Sequence, residues 1–194
     1  EAVTKDKFGE EVKDIKYFTV YSSRENVVPV NEFDWFLPLK VSGEPGDKAS
    51  FLIGTKASDT KVLFEIEHKN EIVKKEWMTL SNEQKKIEIP IEEKHRGNFA
   101  YHFIFVKTGR AYSHDGTITV PYTNKELDLK FSSFRNKLLP GADEEWTLTI
   151  KNKKGEKEVA ELLATIYDDS LDELCTPNSF YMSIYQTFYA SANW

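Results

Sequence analysis

The chain has 194 residues, of which 40% are hydrophobic and 13% aromatic, so it is long and apolar enough to bury a core. Its formal net charge is −6, and its 26 Lys and Arg are scattered among 32 Asp and Glu, which argues against nucleic-acid binding and against a polybasic membrane-binding patch. No run approaches the roughly 20 apolar residues that a membrane-spanning helix needs.

Short runs rich in Val, Ile, Phe, Tyr and Thr follow one another from residue 16 to about residue 167, separated by Gly, Asn, Asp, Ser or Pro. Strands are predicted at residues 16–21, 35–41, 48–53, 61–67, 71–78, 85–91, 98–106 and 111–120. Seven of them lie between residues 35 and 120, a number and spacing typical of an immunoglobulin-like β-sandwich.

The strand at residues 61–67 alternates cleanly, with Val62, Phe64 and Ile66 on one face and Glu65 and Glu67 on the other. This pattern predicts a half-buried strand of an antiparallel sheet, with the acids on the solvent side.

Three further features predict how the strands are arranged. Residues 100–106 are apolar on both faces, as expected of a central strand, and Pro90 suits a sheet edge or a strand end. Thr108-Gly109-Arg110 separates two strong strands and predicts a hairpin turn.

Residues 121–126, PYTNKE, interrupt the strand pattern and predict a domain junction. The predicted domains are therefore residues 1–122 and 123–194. The second supplies only three clear strands, at residues 127–134, 144–152 and 158–168, around a turn at residues 153–157. Because so short a sheet rarely stands alone, we expect this domain to be truncated.

A Pro-Gly turn occurs in both predicted domains, as Pro45-Gly46 and Pro140-Gly141. Each follows a strand that must reverse and precedes an alternating strand, with Gly available for a positive φ. The repeat favours two domains with similar turns between their first two strands.

The titratable residues do not form a recognisable catalytic or metal-binding motif. In the pairs Glu144-Glu145 and Asp168-Asp169, adjacent side chains on a strand point to opposite faces, so neither pair is itself a catalytic dyad. The four histidines, His68, His95, His102 and His114, lack close metal-ligand spacing. A site joining His102 and His114 across a hairpin stays open as an alternative.

The remaining candidates also favour structural roles. Cys175 is the only cysteine, which excludes an internal disulfide and a Cys-based zinc cluster, and it is interpreted as an inert thiol. Trp35 and Trp146 lie in apolar runs and are predicted to be core residues, whereas Trp77, between charged neighbours, is the candidate exposed platform for a sugar ring. No catalytic, cofactor-binding or metal-binding residue is predicted, and the chain is not expected to be an enzyme.

Residues 138–174 resemble a segment of bacterial α2-macroglobulin-like proteins. The resemblance rests on the Pro140-Gly141 turn, the strand at residues 145–150, the Lys154-Gly155 turn and the element Asp168-Asp169-Ser170-Leu171. Ala142 departs from the pattern, since Glu or Asp is common there.

The preceding block resembles another macroglobulin domain of the same proteins, from Pro45-Gly46-Asp47 through GNFAYHFIFVKTGR to ITVPY. Together the two blocks cover residues 35–175. The resemblance implies an all-β fold of tandem immunoglobulin-like, macroglobulin-type sandwiches, the second incomplete.

By the same resemblance, the parent would be a periplasmic or cell-surface protein that traps proteases and packs its macroglobulin domains serially. Many members carry a C-x-E-Q thioester motif, but Cys175 is followed by Thr-Pro-Asn, so this chain would be a non-catalytic scaffold, with Trp194 near or before the protease-cleaved bait region. The alternatives are a carbohydrate-binding or adhesion module and a non-catalytic sandwich of a glycoside hydrolase.

Overall fold

The computed structural model describes residues 1–133, 135, 137, 139, 141–158, 160–163 and 183–192. Contacts divide the chain into two compact units, Glu1–Val120 with Thr187–Trp194, and Pro121–Gln186. The domains predicted at residues 1–122 and 123–194 stay a prediction. The contact division differs from them by assigning the chain from Thr187 onward to the first unit.

Nine strands form in the first unit, and seven of them build a β-sandwich. The strands are β1 (Ala2–Lys5), β2 (Glu11–Asp14), β3 (Trp35–Lys40), β4 (Lys48–Thr55), β5 (Thr60–His68), β6 (Glu71–Leu80), β7 (Glu83–Pro90), β8 (Phe99–Lys107) and β9 (Arg110–Ile118). One sheet has the order β3-β4-β7 and the other the order β6-β5-β8-β9, and all neighbouring strands are antiparallel. The predicted all-β fold is confirmed.

Alternating apolar side chains from both sheets fill the space between them. Phe103 on β8 is fully buried and lies at the centre of an aromatic group, with its ring centroid 4.7 Å from that of Phe64, 5.5 Å from that of Phe36 and 5.9 Å from that of Phe51. Offset and tilted aromatic pairs at such distances add to the stabilisation that comes from burial alone. The core therefore ties β3 and β4 of one sheet to β5 and β8 of the other.

The local features predicted from the sequence are confirmed in the sandwich. The strand β8 is central, paired with β5 on one side and β9 on the other. Pro90 is the last residue of β7, an edge strand. Thr108 and Gly109 have φ values of 50° and 75°, the positive values that a tight hairpin turn between β8 and β9 requires.

The predicted strand at residues 16–21 is wrong. These residues form no strand, and Tyr17, Phe18 and Val20 are exposed. The described N-terminal residues instead form the β1–β2 hairpin, which the sequence reading missed because the segment is charged throughout. Its turn is held by the Asp6 carboxylate, which accepts hydrogen bonds from the backbone N–H groups of Phe8 and Glu10.

The strand β5 alternates as predicted, but its second face is not solvated. Val62, Phe64 and Ile66 face the core, and Glu65 and Glu67, on the opposite face, are only 1% and 2% exposed. The expectation of a half-buried strand is therefore wrong for β5.

In the second unit the described strands are β10 (Leu127–Ser133) and β11 (Thr147–Asn152), which pair antiparallel. Leu129 faces Ile150 in the register, yet Leu129 and Phe131 are 51% and 56% exposed. The Lys154-Gly155 turn forms, with the Asn152 side-chain oxygen accepting from the N–H of Lys154. Of the strand predicted at 158–168, residues 158 and 160–163 are described and form no strand, and the rest lies outside the described residues.

Two short 3-10 helices, Glu93–His95 and Thr123–Lys125, complete the described elements. Within the described ranges, no helix is long and apolar enough to cross a membrane.

Candidate functional site

A strip of buried side chains lies on the outer face of the four-stranded sheet, the face turned away from the core. Glu65 on β5 is directly opposite His102 on β8, and Glu67 is opposite Ala100. All four are at most 2% exposed. Carboxylates and imidazoles are rarely so buried without partners, so this strip is the first candidate site.

The Glu67 carboxylate is the centre of this strip. It contacts His102 Nε2 at 2.9 Å and accepts hydrogen bonds from the backbone N–H groups of Ser191 at 3.1 Å and Ala192 at 3.2 Å. The Ser191 hydroxyl also donates to it. One carboxylate therefore holds a segment that is 124 residues further along the chain.

These contacts set the charge of Glu67. Burial raises its pKa, but the hydrogen bonds from Ser191, Ala192 and His102 outweigh burial and leave the pKa at about 2. Glu67 is therefore ionised at neutral pH, and an ionised carboxylate only accepts hydrogen bonds. It follows that His102 presents Nε2–H to Glu67.

The geometry is not that of a nucleophilic serine. A nucleophilic serine needs a general base to accept its proton, and the Glu67 carboxylate, to which the Ser191 hydroxyl donates, has a pKa of about 2 and is a weak base. His102 contacts the same carboxylate, and its buried Nδ1 has no hydrogen-bond partner within the part of the chain that the structure describes. The Glu67 carboxylate therefore acts as an acceptor for two backbone N–H groups and a hydroxyl.

A second candidate is a cleft of about 450 Å³ that lies between the edge strands β6 and β7. Its floor includes the buried Phe64 and Ile89, and its rim carries Lys74 and Lys94. This volume falls within the roughly 300–1,000 Å³ range of small-molecule sites.

Two histidines lie at one end of this cleft, with ring centroids 5.5 Å apart. Burial lowers the pKa of His68, assisted by Lys69 and Lys94. Burial and Lys94 lower the pKa of His95 to about 4. Both imidazoles are therefore neutral at pH 7. His95 Nδ1 accepts a hydrogen bond from the backbone N–H of Glu92 at 3.0 Å. This nitrogen therefore stabilises the turn at residues 92–95.

The rim charges of the cleft are already paired. Lys94 forms an ion pair with Glu92 at 2.7 Å, and Lys74 forms one with Glu76 at 2.8 Å. In the part of the chain that the structure describes, no group of three or more His, Cys, Asp or Glu residues is arranged to hold a metal ion.

A comparison with protein-family models found no match, and neither did a comparison with curated protein sequences.

The proposed His102–His114 pair is not formed. In the β8–β9 register, His102 is opposite Asp115 and His114 is opposite Phe103, so the two rings lie on different faces of the sheet. His114 packs its ring on Phe36 at 4.3 Å and contacts Asp34 through Nε2 at 2.6 Å.

The other predicted positions are dispersed over the chain. Glu144 forms an ion pair with Arg135 at 3.2 Å, while Glu145 is exposed. Asp168, Asp169 and Cys175 lie outside the described residues.

The three described tryptophans differ in exposure. Trp35 is half-buried and donates its indole N–H to Gln84 at 2.8 Å. Trp146 is half-buried in the second unit, with its ring 6.0 Å from that of Phe131. Trp77 is 63% exposed on β6, so its predicted exposure is confirmed, and its role as a platform for a sugar ring stays a prediction. Trp194 lies outside the described residues.

Sequence reasoning missed Glu67 and Ser191 as a pair. The alternation of β5 placed Glu67 on the outer face, where an acid is ordinarily solvated. No local pattern links it to Ser191, since the contact depends on where the chain returns after residue 186. The available signal was His102, a histidine inside an otherwise apolar central strand, which needs a polar neighbour on its own face.

Proposed function

We propose that the chain is a non-catalytic structural part of a bacterial α2-macroglobulin-like protein. Its role would be that of a scaffold for endopeptidase inhibition by protease trapping, in the periplasm or at the cell surface. Its partners would be neighbouring macroglobulin domains and, through the full-length parent, proteases.

The observation that carries the proposal is a repeated structural unit. In the first unit, β3 and β4 pair antiparallel across a connection that contains Pro45-Gly46. In the second, β10 and β11 pair antiparallel across a connection that contains Gly141. Gly46 and Gly141 have φ values of 100° and 76°. The same strand, turn and strand occur at corresponding places, which supports serial domains of one type.

The division of the sandwich into three and four strands also supports an immunoglobulin-like, macroglobulin-type domain. The resemblance of residues 138–174 to the family then supplies the function, and no catalytic constellation among the described residues competes with it.

The proposal is tested with the full-length parent protein and a panel of endopeptidases. A trapped protease is shielded from large substrates but is still reached by small ones. We expect the parent to abolish cleavage of a folded protein substrate while a short chromogenic peptide is still hydrolysed. The isolated chain is the matched control and should inhibit neither reaction. Unimpaired digestion of the protein substrate by every protease would refute the trapping function.

The exposed Trp77 favours a second candidate, a carbohydrate-binding or adhesion module. An exposed indole offers a face on which a sugar ring can stack. Among the described side chains, no aromatic ring packs on Trp77. A glycan array with the wild-type chain and the Trp77→Ala variant separates the two functions. Binding that is lost in the variant favours the module, and no binding by either protein removes it.

A further inference from the structure

We propose that the outer face of the four-stranded sheet is a docking site for a peptide segment, with Glu67 as the residue that recognises it. The occupant is the chain's own segment at residues 187–192, and the same segment supplied as a separate peptide would bind there when the site is vacated. This inference does not depend on the protease-trapping function.

The contacts to the segment are mainly contacts to its backbone. The N–H of Phe188 donates to the carbonyl oxygen of Gly97 at 2.7 Å, and the N–H of Ala190 donates to Thr117 Oγ1 at 3.2 Å. The N–H groups of Ser191 and Ala192 then donate to Glu67. Two of these acceptors, Thr117 and Glu67, are side chains on the face of the sheet, so the segment is held on the face and not by strand pairing at an edge.

Side chains supply the selectivity. The Ser191 hydroxyl donates to Glu67, and the Phe188 ring meets the His68 ring edge-on at a centroid distance of 6.1 Å. Small residues, Ala190 and Ala192, flank the serine, which allows the backbone to lie close to the carboxylate. The chemistry that fits is a peptide segment with a hydroxyl-bearing residue between two small residues.

The site is built into the sheet, because its polar groups are buried and held by the strands. Glu67 and His102 are 2% and 1% exposed, and the carboxylate fixes the imidazole tautomer. Beside them, Glu65 Oε1 forms an ion pair with Lys75 Nζ at 2.9 Å, and among the described residues Glu65 Oε2 has no hydrogen-bond partner. A buried polar atom without a hydrogen-bond partner costs free energy, so this face favours contact with polar groups.

The test uses the full chain carrying Ser191→Pro, which removes one N–H and the hydroxyl that bind Glu67. A fluorescent peptide with the sequence of residues 187–192 is titrated in, and its anisotropy is measured. In the wild-type chain the tethered segment competes at an effective concentration on the order of millimolar. We expect the peptide to bind the Ser191→Pro chain at least about tenfold more tightly than the wild type.

Two controls define the site. The Ser183→Pro chain, altered at an exposed serine outside these contacts, should bind like the wild type. Adding Glu67→Gln to Ser191→Pro should weaken binding about tenfold or more, since the carboxylate's charge-assisted bonds are lost. The proposal is overturned if the peptide binds the Ser191→Pro chain no better than the wild type while circular dichroism shows an intact sheet fold, or if Glu67→Gln has no effect.

Amide hydrogen exchange of the full chain gives a second measurement that needs no proline. The amides of Ser191 and Ala192 should exchange about tenfold faster in the Glu67→Gln variant than in the wild type, and the amides of β8 should be unchanged. Equal exchange at Ser191 and Ala192 in both proteins would also overturn the proposal.

Discussion

The β3–β4 pair of the first unit and the β10–β11 pair of the second are built alike, but they differ in burial. In β4, Phe51 and Ile53 are fully buried, whereas in β10 Leu129 and Phe131 are more than half exposed. Both pairs have an alternating pattern, a glycine with a positive φ and an antiparallel ladder. Local sequence is therefore enough to form the ladder, and an opposing sheet is needed to bury its face.

The largest effect should come from removing the same side chain in each pair. Phe51→Ala leaves a cavity between the sheets and should lower the free energy of unfolding by about 3–5 kcal/mol. Phe131→Ala should lower it by less than about 1 kcal/mol, because that ring is 56% exposed. Urea unfolding of both variants measures the difference. Equal losses of unfolding free energy would mean that the β10–β11 pair is as well packed as the sandwich.

The second prediction concerns the outer face of the four-stranded sheet. Glu67→Gln should lower the free energy of unfolding at pH 7 by about 1.5–3 kcal/mol, since charge-assisted hydrogen bonds are lost. The folded-state pKa of Glu67, about 2, lies below the ordinary value of 4.5. Its contribution, up to about 3 kcal/mol, is therefore complete above pH 4.5 and is lost as the pH falls toward 2.

The difference between wild type and Glu67→Gln should accordingly shrink as the pH is lowered through that window. Thermal unfolding at several pH values measures it. Glu71→Gln, at the exposed start of β6, is the matched control and should follow the wild type at every pH. A constant difference down to pH 2 would contradict the ionised, hydrogen-bonded state of Glu67.

The third prediction compares the two repeated turns. A Cβ at Gly46 or at Gly141 would meet no atom within 4 Å, so the cost of Gly→Ala comes from the positive φ alone. We expect about 1 kcal/mol at each turn. The cost at Gly46 should appear in the unfolding of the sandwich, and the cost at Gly141 should leave that transition unchanged. Calorimetry measures the midpoint of the sandwich transition in each variant. If Gly141→Ala shifts that midpoint as much as Gly46→Ala does, the two strand pairs unfold together.

The smallest effect is expected at Trp77. Because its ring is 63% exposed, Trp77→Ala should change the free energy of unfolding by no more than about 0.5 kcal/mol. Chemical denaturation checks this. A loss of several times that size would place the ring in a packed contact.

The sequence predicted the sandwich well because its information is local. Alternation placed Val62, Phe64 and Ile66 on one face, and positive φ at Gly109 closed the hairpin where a turn was expected. The same local reasoning failed for residues 16–21, which have strand composition but no paired neighbour among the described strands.

The candidate site could not be predicted in the same way. That Glu67 is buried follows from the chain returning to β5 after an insertion that ends at Gln186. Periodicity assigns a residue to a face, but it does not say whether another segment covers that face. His102 lies inside a central strand, and its partner Glu67 is two residues further along β5 than Glu65, the residue directly opposite it.

The return of residues 187–192 to the first unit has a consequence during synthesis. The seven strands of the sandwich are complete by Ile118, but the segment that covers Glu67 is made later, after Pro121–Gln186. At about 5–20 residues per second, the ribosome takes several seconds to reach it. During that interval the nascent sandwich presents Glu67 and His102 to water, and the carboxylate titrates without the donors of Ser191 and Ala192. We therefore expect the outer face to be covered after the core of the sandwich has formed.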